Sequence, residues 1–486
     1  MKAALTPRSR DSFDEPTSGF GIRTRPNEEN LPVTQSEKQS KVQSRKRTGR
    51  GDPVDILVFL IPCLQFIEVQ LIGVLNGSDL LLLVTFIALA FRGKIRIGLP
   101  AEKTFLVLGS LWLASQCVTD IVRHTAFADY ARGWSNIGMT LVNFAVLWTL
   151  LYGRPRRLEL YGWGLVVGTL LAIALNPDEV ALGYPWKFGF AYPVTMGVFL
   201  LASQAKWRSR WPIAMIALMG VVNIASGSRN RGGACMAAAI YLLATDFLRK
   251  RGGGGPRLKV GTAVALAAAM VVSIGGIVWA YQYGASTGVF GEQARKKYEE
   301  QSSGKYGILL GGRTEMLASI PAVYDSPILG HGSWAKNRIY YIGEIRALAL
   351  LGYKGATDIS REELIDGLIP AHSYLLQAWV YGGIVSTLFW IWAFIFTTRS
   401  LMRVYPASVL LVPLAAFIAF SLLWDILFSP YGATGRILVP YYIVTLASCM
   451  SMVSLKAKQD AAAPPKKRIS APKRRAPAAF MPRPQL

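Results

Sequence analysis

Apolar stretches of membrane-crossing length dominate this sequence and leave few folds open to it. They occupy residues 54–75, 79–91, 103–119, 133–152, 158–175, 189–205, 211–226, 232–248, 260–281, 373–397, 407–427 and 434–454. An α-helix needs about 20 apolar residues to cross the hydrocarbon core, and within lipid every backbone N–H and C=O must be bonded inside the protein. The pattern predicts an all-α integral membrane protein with about 12 transmembrane helices, the second short and the third and seventh marginal. Composition agrees, because 52% hydrophobic and 17% charged residues with a mean hydropathy of +0.32 make the chain more apolar than a soluble domain.

The formal charge, 53 − 29 = +24, would by itself invite nucleic acid. Its distribution excludes that partner, since the basic residues gather in the two tails and in short loops. "RGKIR", "GRPRR", "KWRSR", "RKRGGGGPRLK" and "TRSLMR" alternate with mixed or neutral connections such as "LNGS", "NPDEVALGYPWK" and "SPYGATGR". By the positive-inside rule the basic set and both tails are cytoplasmic, and the alternate loops face outward. The expected organisation is a basic disordered tail over 1–53, helices 1–9 over 54–281, an outward loop over 282–372, helices 10–12 over 373–454 and a second disordered basic tail over 455–486. Membrane lipids are the surroundings; the tails read first as simply solvated, with contact of their charge to anionic head groups as the alternative. Cys63, Cys117, Cys235 and Cys449 fall in or beside apolar runs at spacings that fit neither zinc nor a disulfide framework.

The loop over 282–372 is too long for a linker and reads as an ordered helical cap between helices 9 and 10. "EQARKKYEEQ" is a charged helical stretch. "TEMLASIPAVYDS" places Met316, Leu317, Ile320, Val323 and Tyr324 on one face, interrupted by Pro321, and Ser360 with Glu363 forms a capping-box pattern. The expected lid has one apolar side lying on the bundle's outer surface.

Residues capable of chemistry collect on that outward side. All three histidines, His124, His331 and His372, are there, and His372 stands at the mouth of the tenth helix. Arg229 and Arg231 lie in a turn rich in small residues between helices 7 and 8, where positive charge is disfavoured, and Arg313 follows a Gly pair in the lid. Paired guanidiniums suit a diphosphate, which accepts bidentate hydrogen bonds from planar donors. The plain alternative is snorkelling to head groups for the arginines, and a helix-start contact for His372. Glu68 and Asp425 read as carboxylates inside apolar spans, accessory to the same site together with His331. No outward loop carries metal-ligand spacing, and neither a Walker A sequence nor a dinucleotide fingerprint occurs, so no metal and no cofactor are expected.

The small-residue Arg turn, "GGRTEMLASIPAVYDSPILGHGSW" and "HSYLLQAWVYGGIVSTLFW", in that order and on one side of the membrane, resemble the O-antigen ligase and Wzy-type polymerase superfamily over roughly residues 54–454. The resemblance implies a glycosyltransferase of the bacterial inner membrane. It would transfer a glycan from undecaprenyl diphosphate to lipid A–core, for a ligase, or to another lipid-linked glycan, for a polymerase. It also implies that Arg229 or Arg231, together with Arg313, holds the diphosphate and that His372 acts on the acceptor hydroxyl. The chain departs from the family in having Ser373 where Asn commonly follows the histidine. A transporter or flippase of lipid-linked sugars is the alternative from another class. Against it stand the lack of a repeat between halves and the single large loop.

Overall fold

A computed structural model describes residues 52–462 apart from 71–72, 96, 178, 205–210, 251–259, 312, 354–366 and 404–410. The two tails, apart from short stretches next to the bundle, and the Ser360–Glu363 capping pattern lie outside the described residues. Each of the twelve apolar stretches contains a helix. In order these are α1 (Pro53–Cys63), α2 (Gly77–Phe91), α3 (Pro100–Val122), α4 (Phe127–Leu151) and α5 (Pro155–Leu175). After the short α6 (Glu179–Gly183) come α7 (Ala191–Gln204), α8 (Trp211–Ala225), α9 (Arg229–Lys250) and α10 (Val260–Ser286). The long connection contributes α11 (Glu292–Ser302), α12 (Gly307–Gly311), α13 (Met316–Asp325) and α14 (Arg338–Leu350), and the chain finishes with α15 (Tyr374–Leu401), α16 (Val412–Phe428) and α17 (Ala433–Ala462).

Among the described residues five helices are long and apolar enough to cross a bilayer: α3, α4, α5, α15 and the Ala433–Leu455 part of α17. α1, α2, α8 and α16 are shorter apolar helices. The outer faces of the bundle are as apolar as its core. On α2, Leu80, Val84, Ile87 and Phe91 form an exposed stripe at helical spacing, and on α3 Val107, Leu111 and Val118 form another. Water would not tolerate such stripes, whereas hydrocarbon costs them nothing. The chain is a multi-pass helical membrane protein.

Polar groups are turned inward instead. Asp79 on α2 and Arg436 on α17 form a 2.7 Å ion pair that is almost wholly buried. Asn143 of α4 donates to the Asp79 carboxylate at 3.0 Å, and the guanidinium also reaches the Val74 carbonyl at 2.7 Å. Hydrogen bonds of this kind offset the cost of burying a charge pair, and here they pin three helices together, although Arg436 Nε has no hydrogen-bond partner among the described residues.

Two sequence expectations need correction. The first apolar stretch is not one helix to residue 75, because α1 stops at Cys63 and a 3-10 turn leads into a hairpin of β1 (Glu68–Gln70) and β2 (Val74–Asn76). Glu68 is therefore exposed on a β-strand, paired with Asn76, and is not a carboxylate buried in a span. The face predicted for α13 is turned inward only in part: Met316, Leu317 and Val323 are half-buried, and Val323 packs against a buried cluster. Ile320 and Tyr324 point outward, while Ala318, Ser319 and Ala322 are buried. Small side chains let α13 approach its neighbours closely, and that contact outweighs burial of the larger ones.

The feature that positions the site is a break in α15. Gly383 has φ +71° and ψ −169°, a backbone region open in practice only to glycine. The segment 326–333 fills the gap: His331 N–H donates to Val380 O at 2.7 Å, Gly332 N–H to Tyr381 O at 3.0 Å, and Ile384 N–H to Pro327 O at 3.0 Å. Ser115 of α3 donates to Gly382 O at 2.6 Å. Asp120, also on α3, accepts from both the backbone and the hydroxyl of Ser333 at 2.6 and 2.7 Å. The lid is thus bonded into the bundle through the helix's own freed groups.

A Cβ at Gly383 would lie 1.8 Å from the Ile328 carbonyl, whereas one at Gly138 of α4 meets nothing within 4 Å. Gly383→Ala is expected to cost roughly 2 kcal/mol or more, and Gly138→Ala to be neutral or mildly stabilising. Melting of both variants in detergent checks this, and equal midpoints would show that the break does not depend on glycine.

Candidate functional site

The turn before α9 brings two arginines to the start of a 22-residue helix. Gly227 makes the turn possible with φ +81°, and Gly232 lets α9 sit close to Ile224 of α8. Ser228 is fully buried there, and its hydroxyl has no hydrogen-bond partner among the described residues. The N-terminal end of α9 adds its exposed amide dipoles to the positive charge.

From this turn the two guanidiniums diverge. Arg229 donates to Gln301 Oε1 on α11 at 3.0 Å and lies 5.1 Å from the Tyr281 ring centroid. Arg231 donates to the Lys187 carbonyl at 3.0 Å, stands over Tyr192 and lies within electrostatic reach of Asp425 on α16. Arg313, which precedes α13, rests 5.0 Å from both the Trp424 and Phe428 rings of α16 and feels the charge of Arg229. Burial holds the Arg313 guanidinium below its ordinary pKa; Glu315 opposes that shift and Arg229 adds to it.

His372 is exposed immediately before α15, and its Nδ1 is 3.4 Å from Glu315 Oε1. The next residue explains how it is held. Ser373 accepts from Leu376 N–H at 3.2 Å as the cap of α15 and donates to Ile426 O of α16 at 2.9 Å. Ser373 therefore fills the position after the histidine with a cap. The end of α16 is the common support, since Trp424 and Phe428 carry Arg313, Asp425 faces Arg231, and Ile426 anchors the residue beside His372.

Of the residues singled out in the sequence, Arg229, Arg231, Arg313, His372 and Asp425 belong to this arrangement. Glu68 lies on the hairpin described above. The His331 ring nitrogen Nε2 is 2.7 Å from Ala322 O, and the ring packs edge-on to Tyr340. No hydrogen bond joins it to His372 among the described residues, so its ring fastens the lid. His124 occupies an exposed turn at φ 53°.

Four further charged groups gather here that sequence reasoning did not single out: Glu315, Glu344, Lys187 and Lys297. Burial, followed by the charges of Lys297, Arg229 and Arg231, lowers the Lys187 ammonium to about 8. Desolvation and then Arg229 lower Lys297. Glu344 on α14 is buried, and one carboxylate oxygen has no hydrogen-bond partner among the described residues. Burial raises its pKa to about 7, a hydrogen bond from Thr314 opposes that rise, and Glu315 adds to it. The only sequence signal for the two lysines was their place in segments expected to face outward, shared with many solvated charges. With this geometry in hand, comparison with known proteins finds no matching family, curated protein or solved structure.

The Glu344 carboxyl titrates near 7 in the folded protein against 4.5 ordinarily, so between those values the folded state keeps a proton that the unfolded state releases. Stability should therefore fall as pH rises from about 4.5 to about 7 and level off above. Glu344→Gln is expected to gain roughly 2 kcal/mol on the parent at pH 8 relative to pH 4.5. Denaturant titrations in detergent at the two pH values measure this. Parallel pH dependences in the two proteins would mean that Glu344 titrates normally.

Proposed function

We propose that this chain is a glycosyltransferase of the bacterial inner membrane. It moves a glycan from undecaprenyl diphosphate to an acceptor hydroxyl on the periplasmic face, in the manner of an O-antigen ligase. Twelve spans, cytoplasmic tails and a periplasmic lid complete the reading. The observation that carries it is the meeting of Arg231, Arg313 and the exposed His372–Glu315 pair at the end of α16, with Arg229 within electrostatic reach of Arg313.

The chemistry follows from those groups. An acceptor O–H attacks the anomeric carbon as the bond from that carbon to the diphosphate oxygen breaks. The leaving diphosphate takes the electron pair and gains one negative charge. Guanidiniums already in place stabilise that new charge more than the ground state, which is the condition for accelerating the step. Arginine charge, rather than a metal ion, meets the diphosphate. The proton leaves the acceptor for His372 Nε2, and Glu315 beside Nδ1 holds the ring in the tautomer that leaves Nε2 free to accept.

A flippase reading draws on the break in α15, because transporters build sites from interrupted helices. Here segment 326–333 fills the break, which supports a scaffold for the lid rather than a passage.

Purified protein in detergent, supplied with undecaprenyl-diphosphate glycan, tests the proposal. Bond formation without a second compartment is expected. Transfer to lipid A–core marks a ligase, and chain extension of the lipid-linked glycan marks the alternative Wzy-type polymerase for O-antigen or exopolysaccharide. His372→Ala should reduce turnover roughly a hundredfold or more at unchanged protein yield, and Arg229→Ala with Arg231→Ala should weaken binding of the lipid donor. Full turnover by the histidine variant would remove His372 from the mechanism.

A further inference from the structure

The outward face of α13 is apolar where a helix standing in water would be polar. Ile320 is 55% exposed, Tyr324 85% and Ile328, just beyond the helix, 76%. Ile320 and Tyr324 share one face of the helix, and Ile328 follows at the same spacing. Asp325 is the only formally charged residue between Met316 and Trp334, and it accepts from the Tyr340 hydroxyl at 2.8 Å, so the lid holds that charge. The opposite face of α13, with Ala318, Ser319 and Ala322, is buried against the bundle.

Two helices measure the depth of this face. The chain after α13 is bonded to α3, where the Thr119 hydroxyl donates to Leu329 O and Arg123 Nε to Gly330 O at 3.1 Å. Thr119 is 119 − 100 = 19 residues from the start of α3, about 28 Å at the α-helical rise. The same chain is bonded to α15 beside Gly383, which is 401 − 383 = 18 residues from the end of α15, about 27 Å. Both rulers start from basic ends, Arg92 and Lys94 before α3, Arg399 and Arg403 at the close of α15. Both lengths approach the roughly 30 Å of a hydrocarbon core, and ordinary tilt shortens them only slightly. Residues 326–330 therefore lie at the far edge of the core. The start of α13 stands no farther out. Glu315 meets His372, and the ring of Tyr374 packs 4.8 Å from that of Trp390, which is deeper along α15 than Gly383. The lipid-facing stripe of α3 reaches the same level through Val118 and Ile121, both exposed. Trp379 is half-buried and donates its indole N–H to Pro327 O at 2.8 Å, an amphipathic ring of the kind that gathers at membrane surfaces.

We propose that α13 is an interfacial helix whose outer face is a lipid-binding surface. Ile320, Tyr324 and Ile328 lie among the head groups and upper acyl chains of the leaflet opposite the basic loops, continuous with the lipid-facing stripe of α3. Large side chains meet lipid and small ones meet the bundle, which gives both faces of α13 an apolar partner. On the transferase reading, which this surface does not need, the same anchorage keeps Arg313 and Glu315 at the depth of a lipid carrier's diphosphate.

Nitroxide labels at Ile320→Cys, Tyr324→Cys and Ile328→Cys test this, in the full-length protein in phosphatidylethanolamine–phosphatidylglycerol vesicles. Cys117→Ala is carried throughout, since the other three cysteines are buried. Val118→Cys on the α3 stripe is the lipid reference, and Glu299→Cys on α11, where the side chain is exposed, is the water reference. The measurement is the ratio of collisions with oxygen to collisions with a water-soluble nickel chelate. At the three α13 positions it should match Val118→Cys and exceed Glu299→Cys on the order of tenfold, because hydrocarbon admits oxygen and excludes a hydrated solute. Ratios equal to that of Glu299→Cys would put the face in water and overturn the proposal. Protection of Tyr324→Cys from both reagents would mean that a second copy or another protein covers it, and would overturn it too. Glycan transfer does not enter the measurement, so the lipid surface and the transferase reading fail separately.

Discussion

A helix in lipid cannot be interrupted unless something else bonds the backbone groups it releases, and the break at Gly383 is where this protein meets that demand. The groups freed in α15 are taken up by segment 326–333, and α3 reinforces the graft through Ser115 and Asp120. One consequence is mechanical. The lid is continued from the bundle by backbone hydrogen bonds, which are stronger determinants of position than side-chain contact between surfaces. With 326–333 fixed, α13 is fixed through His331 and Ala322, and the residues just before α13 are carried with it. Those residues are Arg313 and Glu315, which stand over Trp424, Phe428 and His372.

The same graft explains why two separated sequence patterns belong together. "PILGHGS" and "WVYGG" are about fifty residues apart, yet the glycines of each serve the other. Gly330 has φ +78°, and a Cβ there would lie 2.7 Å from the Gly383 nitrogen. The first pattern supplies the donors and acceptors that the second leaves open.

Electrostatics organises the rest. Inside the bundle charge is neutralised locally, as Asp79, Arg436 and Asn143 show. At the lid end positive charge is concentrated instead, on Arg229, Arg231, Arg313, Lys187 and Lys297, with Asp425 and Glu315 toward α16. A protein that balances one buried pair so closely and leaves another group of charges crowded has the features of a binding site at the second place. The aromatic rings under the guanidiniums hold them without cancelling their charge.

The sequence by itself determined that the chain is helical and membrane-embedded, because runs of apolar residues have no other way to satisfy their backbone in lipid. It also marked the arginines and His372, which are conspicuous where such charge is rare. Tertiary structure decided everything that depends on which distant residues meet. Glu68 looked buried because its flanks are apolar, but a hairpin carries it out. The α13 face looked settled by the size of its side chains, but close approach selected the small ones. Glu315, Glu344, Lys187 and Lys297 were invisible among ordinary loop charges, since a charge becomes unusual only through its neighbours. Hydropathy and spacing are local properties of a chain, whereas burial and electrostatic coupling arise only when elements far apart in sequence are brought together.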